Sequence, residues 1–150
     1  MQNSDHNGIP EGLIVRDYLP GDCAAVMQLW EETGLGGVHR GDDQEVIARS
    51  LRLGGRLLVA ELRDGTLAGT SWMTFDGRRI HLHHVGVAPA WRRRGIGRLL
   101  SVESIRFARE KNVQIKLEVH RTNLAAVALY KSLGFDYLGD YDVYIIRDFF

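Results

Sequence analysis

The chain predicts an α/β fold of the α+β kind, with a mixed, mostly antiparallel central sheet of six to seven strands and helices on both faces. Three observations carry this expectation. Between residues 56 and 87, three strand-like apolar runs are joined by Asp64-Gly65 and Asp76-Gly77, a strong short-range hairpin signal. After Pro89 the apolar period lengthens from two to about 3.6 residues. From there helical and strand-like stretches alternate, and strand–helix–strand crossings add parallel neighbours to the antiparallel run.

Each element has a local reason. Residues 1–12, with Gly8, Pro10 and Gly12, read as a flexible N-terminal tail, and 13–150 as one domain. Residues 13–18 read as a first strand. Asp22 is placed to cap a helix over 23–33, where Ala25, Val26, Leu29 and Trp30 recur at helical spacing. Gly34, Gly36 and Gly37 end it. A second short helix is expected from 42 to 53, before Gly54-Gly55 turns the chain. Strands over 56–62, 66–75 and 79–87 make the meander. A helix opens near Gly95 with Ile96, Leu99, Leu100 and Phe107 on one face. Glu103 interrupts that face, and Val102 and Ile105 lie off it, so cover from more than one side is expected. Residues 113–119 read as a strand. Thr122 or Asn123 caps a helix ending at 131–133, where Gly134 suits the left-handed terminating position. Residues 135–149 read as two final strands around Gly139-Asp140.

The chain has 150 residues, one domain's worth, and its 19 basic and 19 acidic residues cancel. That balance argues against a nucleic-acid binder and against a disordered polyelectrolyte. Cys23 is the only cysteine, so no internal disulfide forms, which fits a reducing compartment. No apolar run approaches the roughly 20 residues of a membrane helix. The N-terminus has no signal-peptide pattern. The expected setting is cytoplasmic, with no membrane and no nucleic-acid partner.

The most informative stretch is 87–98. A strand gives way to a tight turn and then to a helix, and Arg92, Arg93, Arg94, Gly95, Gly97 and Arg98 fall within seven residues. Backbone N–H groups at a helix start have no internal partner and, with the helix dipole, form an anion site. Glycine lets a phosphate approach closely. Arginine adds charge-assisted contacts. A ligand with two or more phosphates follows. A Walker loop would need Gly-Lys-Ser/Thr, and a dinucleotide fingerprint would need glycine where Leu100 stands. The bland alternative is a helix start flanked by solvated arginines.

The segment from Val87 to Gly97 resembles the acetyl-CoA motif of the GNAT superfamily of N-acetyltransferases, Arg/Gln-x-x-Gly-x-Gly/Ala, at Arg92, Gly95 and Gly97. Residues 123–135 are similar to that family's second motif, Asn-x-x-Ala-x-x-Leu-Tyr-x-x-x-Gly-Phe, at Asn123, Ala126, Leu129, Tyr130, Gly134 and Phe135. The resemblance spans roughly 13–147. Arg93 departs from it, since many members carry glycine there. The resemblance implies an acyl-CoA N-acyltransferase fold and acetyl-CoA as cosubstrate. It implies pyrophosphate contacts from Arg92, Arg93, Arg94, Gly95, Ile96, Gly97 and Arg98, and pantetheine pairing with the backbone of Val85 and Val87. It further implies a pantetheine contact at Asn123, and Tyr130 near the thioester sulfur as proton donor to the leaving thiolate. Asn123 and Tyr130 are seven residues apart, nearly two helical turns, and so share a face.

Acetyl transfer to an amine needs a proton acceptor. An alkyl amine has a pKa near 10.4, so reaching its neutral form at pH 7 costs about 4.6 kcal/mol. A placed base is typically worth about 10²–10⁴ in rate. Many family members use a glutamate on the strand before the phosphate turn, and residues 80–87 contain no acid. Strand alternation puts His81, His83, Val85 and Val87 on one face and His84 on the other. The His81-Leu82-His83 run looks like the paired histidines of the serotonin N-acetyltransferase branch, so either His81 or His83 is the candidate base. A histidine near 6.5 is about 3.9 units below the amine, roughly 5 kcal/mol, so the pocket must also lower the amine's pKa. The plainer alternatives are structural histidines, a core Tyr130 and a core Cys23. Zinc is not expected, because no third ligand has suitable spacing.

The acceptor region is expected near the first two helices. Trp30, Glu31, Glu32, Asp42, Asp43 and Glu45 would suit a cationic amine. The expected reaction is direct transfer from acetyl-CoA to a primary amine in a ternary complex, with a small-molecule amine favoured over a protein N-terminus or lysine. The rival from another class is a non-catalytic acyl-CoA-binding regulatory module. Phe149 and Phe150 at the chain end point to a partner surface such as a homodimer's.

Overall fold

A computed structural model describes residues 8–149, which fall into two compact units divided between Glu118 and Val119. The first unit is built on a sheet whose strands lie side by side in chain order: β1 (Ile14–Asp17), β2 (Arg56–Glu61), β3 (Leu67–Phe75), β4 (Arg79–Val87) and β5 (Gln114–Leu117). The β1/β2, β2/β3 and β3/β4 pairs are antiparallel, and β4/β5 is parallel. Helices α1 (Cys23–Thr33) and α2 (Gln44–Arg52) lie between β1 and β2 in the chain, and α3 (Ile96–Lys111) between β4 and β5.

Strand alternation divides the apolar residues between two cores. On one face Leu58, Ala60, Met73, Ile80 and Leu82 pack with Ile96 and Leu100 of α3. On the other, Leu57, Val59, Leu67 and Trp72 pack with Val26, Leu29 and Trp30 of α1 and Ile47 of α2. The helix ends differ in detail from expectation. α2 starts at Gln44 rather than at 42, and Asp43 caps it by accepting from Val46 N–H at 2.9 Å. Asp22 makes no side-chain cap for α1, because its carboxylate is taken by the Arg16 guanidinium and by Leu19 N–H.

The α3 stripe is also displaced. Its buried residues are Ile96, Leu100, Ser101, Ser104 and Ala108, whereas Leu99 and Phe107 are only half-buried. Small residues let the helix approach the sheet closely, and Ser104 and Ser71 share a buried hydrogen bond at 2.6 Å. The N-terminal segment touches this region. Pro10 is buried, and Gly8 carbonyl accepts from Arg94 Nε at 2.9 Å; residues 1–7 of the expected tail lie outside the described residues.

In the second unit the regular element is α4 (Leu124–Ser132), capped by Asn123, whose side-chain oxygen accepts from Ala126 N–H at 3.3 Å. The two strands expected over 135–149 are not formed: these residues carry neither helix nor strand. The sheet of the described residues therefore has five strands rather than six to seven. The reason is physical. A strand is held by a partner's backbone groups, and among the described residues no strand pairing involves 135–149. Tyr137, Tyr141, Val143, Tyr144, Ile145, Ile146 and Phe149 are all exposed, and Phe150 lies outside the described residues.

Candidate active site

The turn before α3 is built as an anion cradle. After a 3-10 turn over Pro89–Trp91, the chain passes through left-handed Arg93 (φ 62°) and Gly95 (φ 86°) into α3. Glycine takes that conformation freely, whereas in an arginine it is strained. The backbone N–H groups of Arg93, Arg94, Gly95, Ile96 and Gly97 have no acceptor among the described residues. They lie at the positive end of a 16-residue helix. A Cβ on Gly97 would meet only Val87 Cγ2, at an ordinary 3.6 Å, so nothing inside the fold demands glycine there.

The arginines divide. Arg92 Nε donates to Val87 carbonyl at 3.2 Å, and Arg94 stacks over Trp91 at 5.1 Å while holding Gly8. Arg92, Arg93 and Arg98 are exposed. This donor set fits a diphosphate: a row of amides for one phosphate group, with guanidinium groups close by for a second. The strand leading to the turn is open on one side. The β4/β5 ladder ends at Leu82 and Leu117, so among the described residues 83–87 pair with β3 alone, and the other edge of Val85 and Val87 carries no strand partner there.

The histidines depart from simple alternation. Trp72 pairs with His84 and Met73 with Leu82, which leaves His83 as the extra residue of a β-bulge. The bulge inverts the phase of the strand. Val85 and Val87 pack into the α3-side core. His81, His83 and His84 gather on the opposite face with Thr74 and the two tryptophans. The expected grouping of His81 and His83 with the valines, and of His84 apart from them, is thereby corrected. Period-two reasoning has no means of seeing an inserted residue.

The cluster is tightly ordered. His81 and His83 stack at 4.3 Å, and His83 Nε2 is 2.6 Å from Thr74 Oγ1. His84 Nε2 lies 3.6 Å from Asp42 Oδ2, and the pair sits against Gly36, where a Cβ would come within 2.9 Å of the imidazole. Desolvation, helped by its two histidine neighbours, lowers the His83 pKa to about 4, although the residue keeps an exposed surface. Burial lowers His81 and His84 as well, opposed by Glu118 for the first and Asp42 for the second. All three imidazoles are neutral near pH 7, so they can accept protons. Beside them is a cavity of about 430 Å³ whose lining includes Trp72, Thr74 and Phe75 and the α2 residues Val46, Arg49 and Ser50. That volume is in the range of small-molecule sites.

Asn123 and Tyr130 belong to the second unit. Tyr130 packs edge-on against Phe135 at 5.6 Å, and burial raises its pKa, which keeps the phenol protonated. The sequence reading missed Thr74, nine residues before His83, and the Asp42–His84 pair. Neither has a spacing signal, because both contacts depend on strand register and on the bulge.

Comparison with known proteins places the chain in a family. The chain matches the acetyltransferase (GNAT) family over residues 23–135. It is 44% identical over 79 residues to N-alpha-acetyltransferase RimI of Mycobacterium tuberculosis, covering 50% of this chain and 49% of that one. It is 34% identical over 102 residues to streptothricin acetyltransferase of Streptomyces lavendulae, covering 66% and 54%. The chain thus spans about half the length of these two curated relatives. Among solved structures, the yncA protein of Salmonella typhimurium, determined with its cofactor acetyl-CoA, superposes with a TM-score of 0.70 at 26% identity, covering 83% and 80% of the two chains. The family uses acetyl-CoA as its acetyl donor, and with 113 consecutive positions from 23 to 135 inside the family match, this chain belongs to the acetyltransferase (GNAT) family.

Proposed function

We propose that the chain is an acetyl-CoA-dependent N-acetyltransferase that transfers acetyl directly to a primary amine in a ternary complex, with a small-molecule amine as acceptor. The observation that carries this reading is the row of five unaccepted N–H groups over 93–97 at the start of α3. Bound there, acetyl-CoA supplies an activated acyl group and a thiolate leaving group.

The chain's own residues do the rest. The amides of 93–97 and the arginines hold the diphosphate, and the free edge of β4 at Val85 and Val87 pairs with the extended arm. Asn123 and Tyr130 contribute a contact to that arm and a proton for the departing sulfur. A thiol near 8.5 and a phenol near 10 differ by about 2 kcal/mol, so the phenol is a feasible donor. His83 or His81 takes the amine's proton. Neutral imidazoles of low pKa are weak bases, so the amine must shed its charge on entering the cavity, where desolvation favours the neutral form. The chain is expected to work in the cytoplasm.

The identity to an N-alpha-acetyltransferase favours a second reading, in which the acceptor is a protein α-amine. Thiol release measured with acetyl-CoA and a mixed panel of small amines and peptides tests both. Turnover on small amines supports the first reading, and turnover on peptides alone supports the second. Tight acetyl-CoA binding without turnover on any amine would leave a non-catalytic binding module instead.

A further inference from the structure

The two charged groups beside the histidine cavity are placed differently. Its lining includes one carboxylate, Asp42, and one guanidinium, Arg49. Asp42 is committed: it faces His84 at 3.6 Å, and the two side chains are only 20% and 14% exposed. Arg49 is not. No hydrogen bond, ion pair or ring contact engages its side chain among the described residues. The other acids expected to attract a cation lie elsewhere. Glu31, Glu32, Asp43 and Glu45 do not line the cavity; Asp43 caps α2, and Glu32 accepts from Gln28 at 3.1 Å. Of the two charged groups in the lining, Arg49, on the exposed side of α2, is therefore the one whose donors are open to a ligand, and it is cationic where the acidic residues around α1 and α2 suggest the opposite sign in the sequence.

The rest of the lining is largely apolar. Trp72 is the large apolar group of the lining, Phe75 borders it while its ring packs on the α3 side under Lys111, and Val46 and Leu53 stand beside Arg49 on the α2 side. An arginine with free donors recognises a planar carboxylate through paired N–H groups. Apolar walls cover the body of a small ligand, while a few polar groups fix its orientation.

We infer that the acceptor is an amine that also bears a carboxylate on an apolar or aromatic body, an amino acid or a close relative, with its carboxylate on Arg49 and its amino group toward His83 and His81. The inference rests on the acyltransferase reading and narrows it. It commits to a free small molecule. In a protein N-terminus the corresponding carboxyl is tied up in a peptide bond and offers Arg49 no anion.

The test uses the full chain, acetyl-CoA, and the common amino acids, each paired with its decarboxylated amine, with thiol release as readout. The inference predicts at least a tenfold higher kcat/KM for the acid member of the preferred pair. Arg49→Gln should lower that value at least tenfold and close the gap, and Arg49→Lys should restore part of it. Arg52→Gln, a neighbouring exposed arginine outside the cavity, should keep the preference. Unchanged acetyl-CoA affinity in the Arg49 variants shows that they are folded. The inference is overturned if the amines lacking a carboxylate are the better substrates, or if the preference survives Arg49→Gln. If no acceptor releases thiol, the transferase reading fails on its own. Calorimetry on the same pairs then decides the cavity: carboxylate-dependent binding lost in Arg49→Gln sustains the inference, and its absence overturns it.

Discussion

His83 and Thr74 meet at 2.6 Å across two strands, and this contact fixes how one imidazole presents its second nitrogen. Thr74→Val removes one neutral hydrogen bond, worth about 0.5–1.5 kcal/mol, so kcat should fall roughly three- to tenfold while the KM for acetyl-CoA stays unchanged. The low pKa of His83, about 4, sets the sign of the pH dependence. Protonation that blocks this base should occur near pH 4 to 5 rather than near 6.5. His81→Gln removes one of the neighbouring charges that lower it, so the acid limb of the pH–rate profile should move upward; an NMR titration of the imidazoles checks both. The same shift acts on stability. The folded chain binds fewer protons than the unfolded one between about 4 and 6.5, so stability from this group is full above pH 6.5 and is lost as the pH falls toward 4. Urea midpoints at pH 7.5 and pH 5 should show that loss. The histidines were legible as candidates from residue type alone. Their common face was not, because a single inserted residue in β4 changes which side each one occupies.

At the level of elements, α3 and its turn do two jobs with small residues. Toward the sheet, Ser104 and Ser71 satisfy each other in the core. Ser104→Ala leaves a buried hydroxyl unpaired and should cost about 1–3 kcal/mol, and adding Ser71→Ala should return part of that, as a denaturation cycle over the two sites would show. Toward solvent, Gly97 leaves room for a ligand rather than for a neighbour in the fold. The helix was legible from its period and its opening glycines. Its buried stripe was not, because serine and alanine carry no apolar signal and are chosen by the closeness of the sheet, where a Cβ on Gly69 would press within 3.0 Å of Leu100. The meander was the most readable part, since two Asp-Gly turns set its hairpins locally. The two last strands were expected from an alternating apolar pattern, which carries no information about the pairing partner that a strand also needs, and 135–149 carry no strand.

For the whole molecule, the account joins a sheet whose β4 edge is open beyond Leu82, a helix start with unaccepted amides and a cavity on the far face of β4. A ligand that binds only the folded chain stabilises it by about 2.7 kcal/mol at a hundred times its Kd, so acetyl-CoA should raise the Tm measurably and free acetate should not. The central claim is that the amides of 93–97 hold the coenzyme's diphosphate. Calorimetric titration of acetyl-CoA into the wild-type chain and into Gly97→Val tests it most directly. The account predicts saturable heat for the wild type and at least tenfold weaker binding for the variant, with its circular dichroism unchanged. Equal affinity in the two chains, or no heat in the wild type, would contradict it.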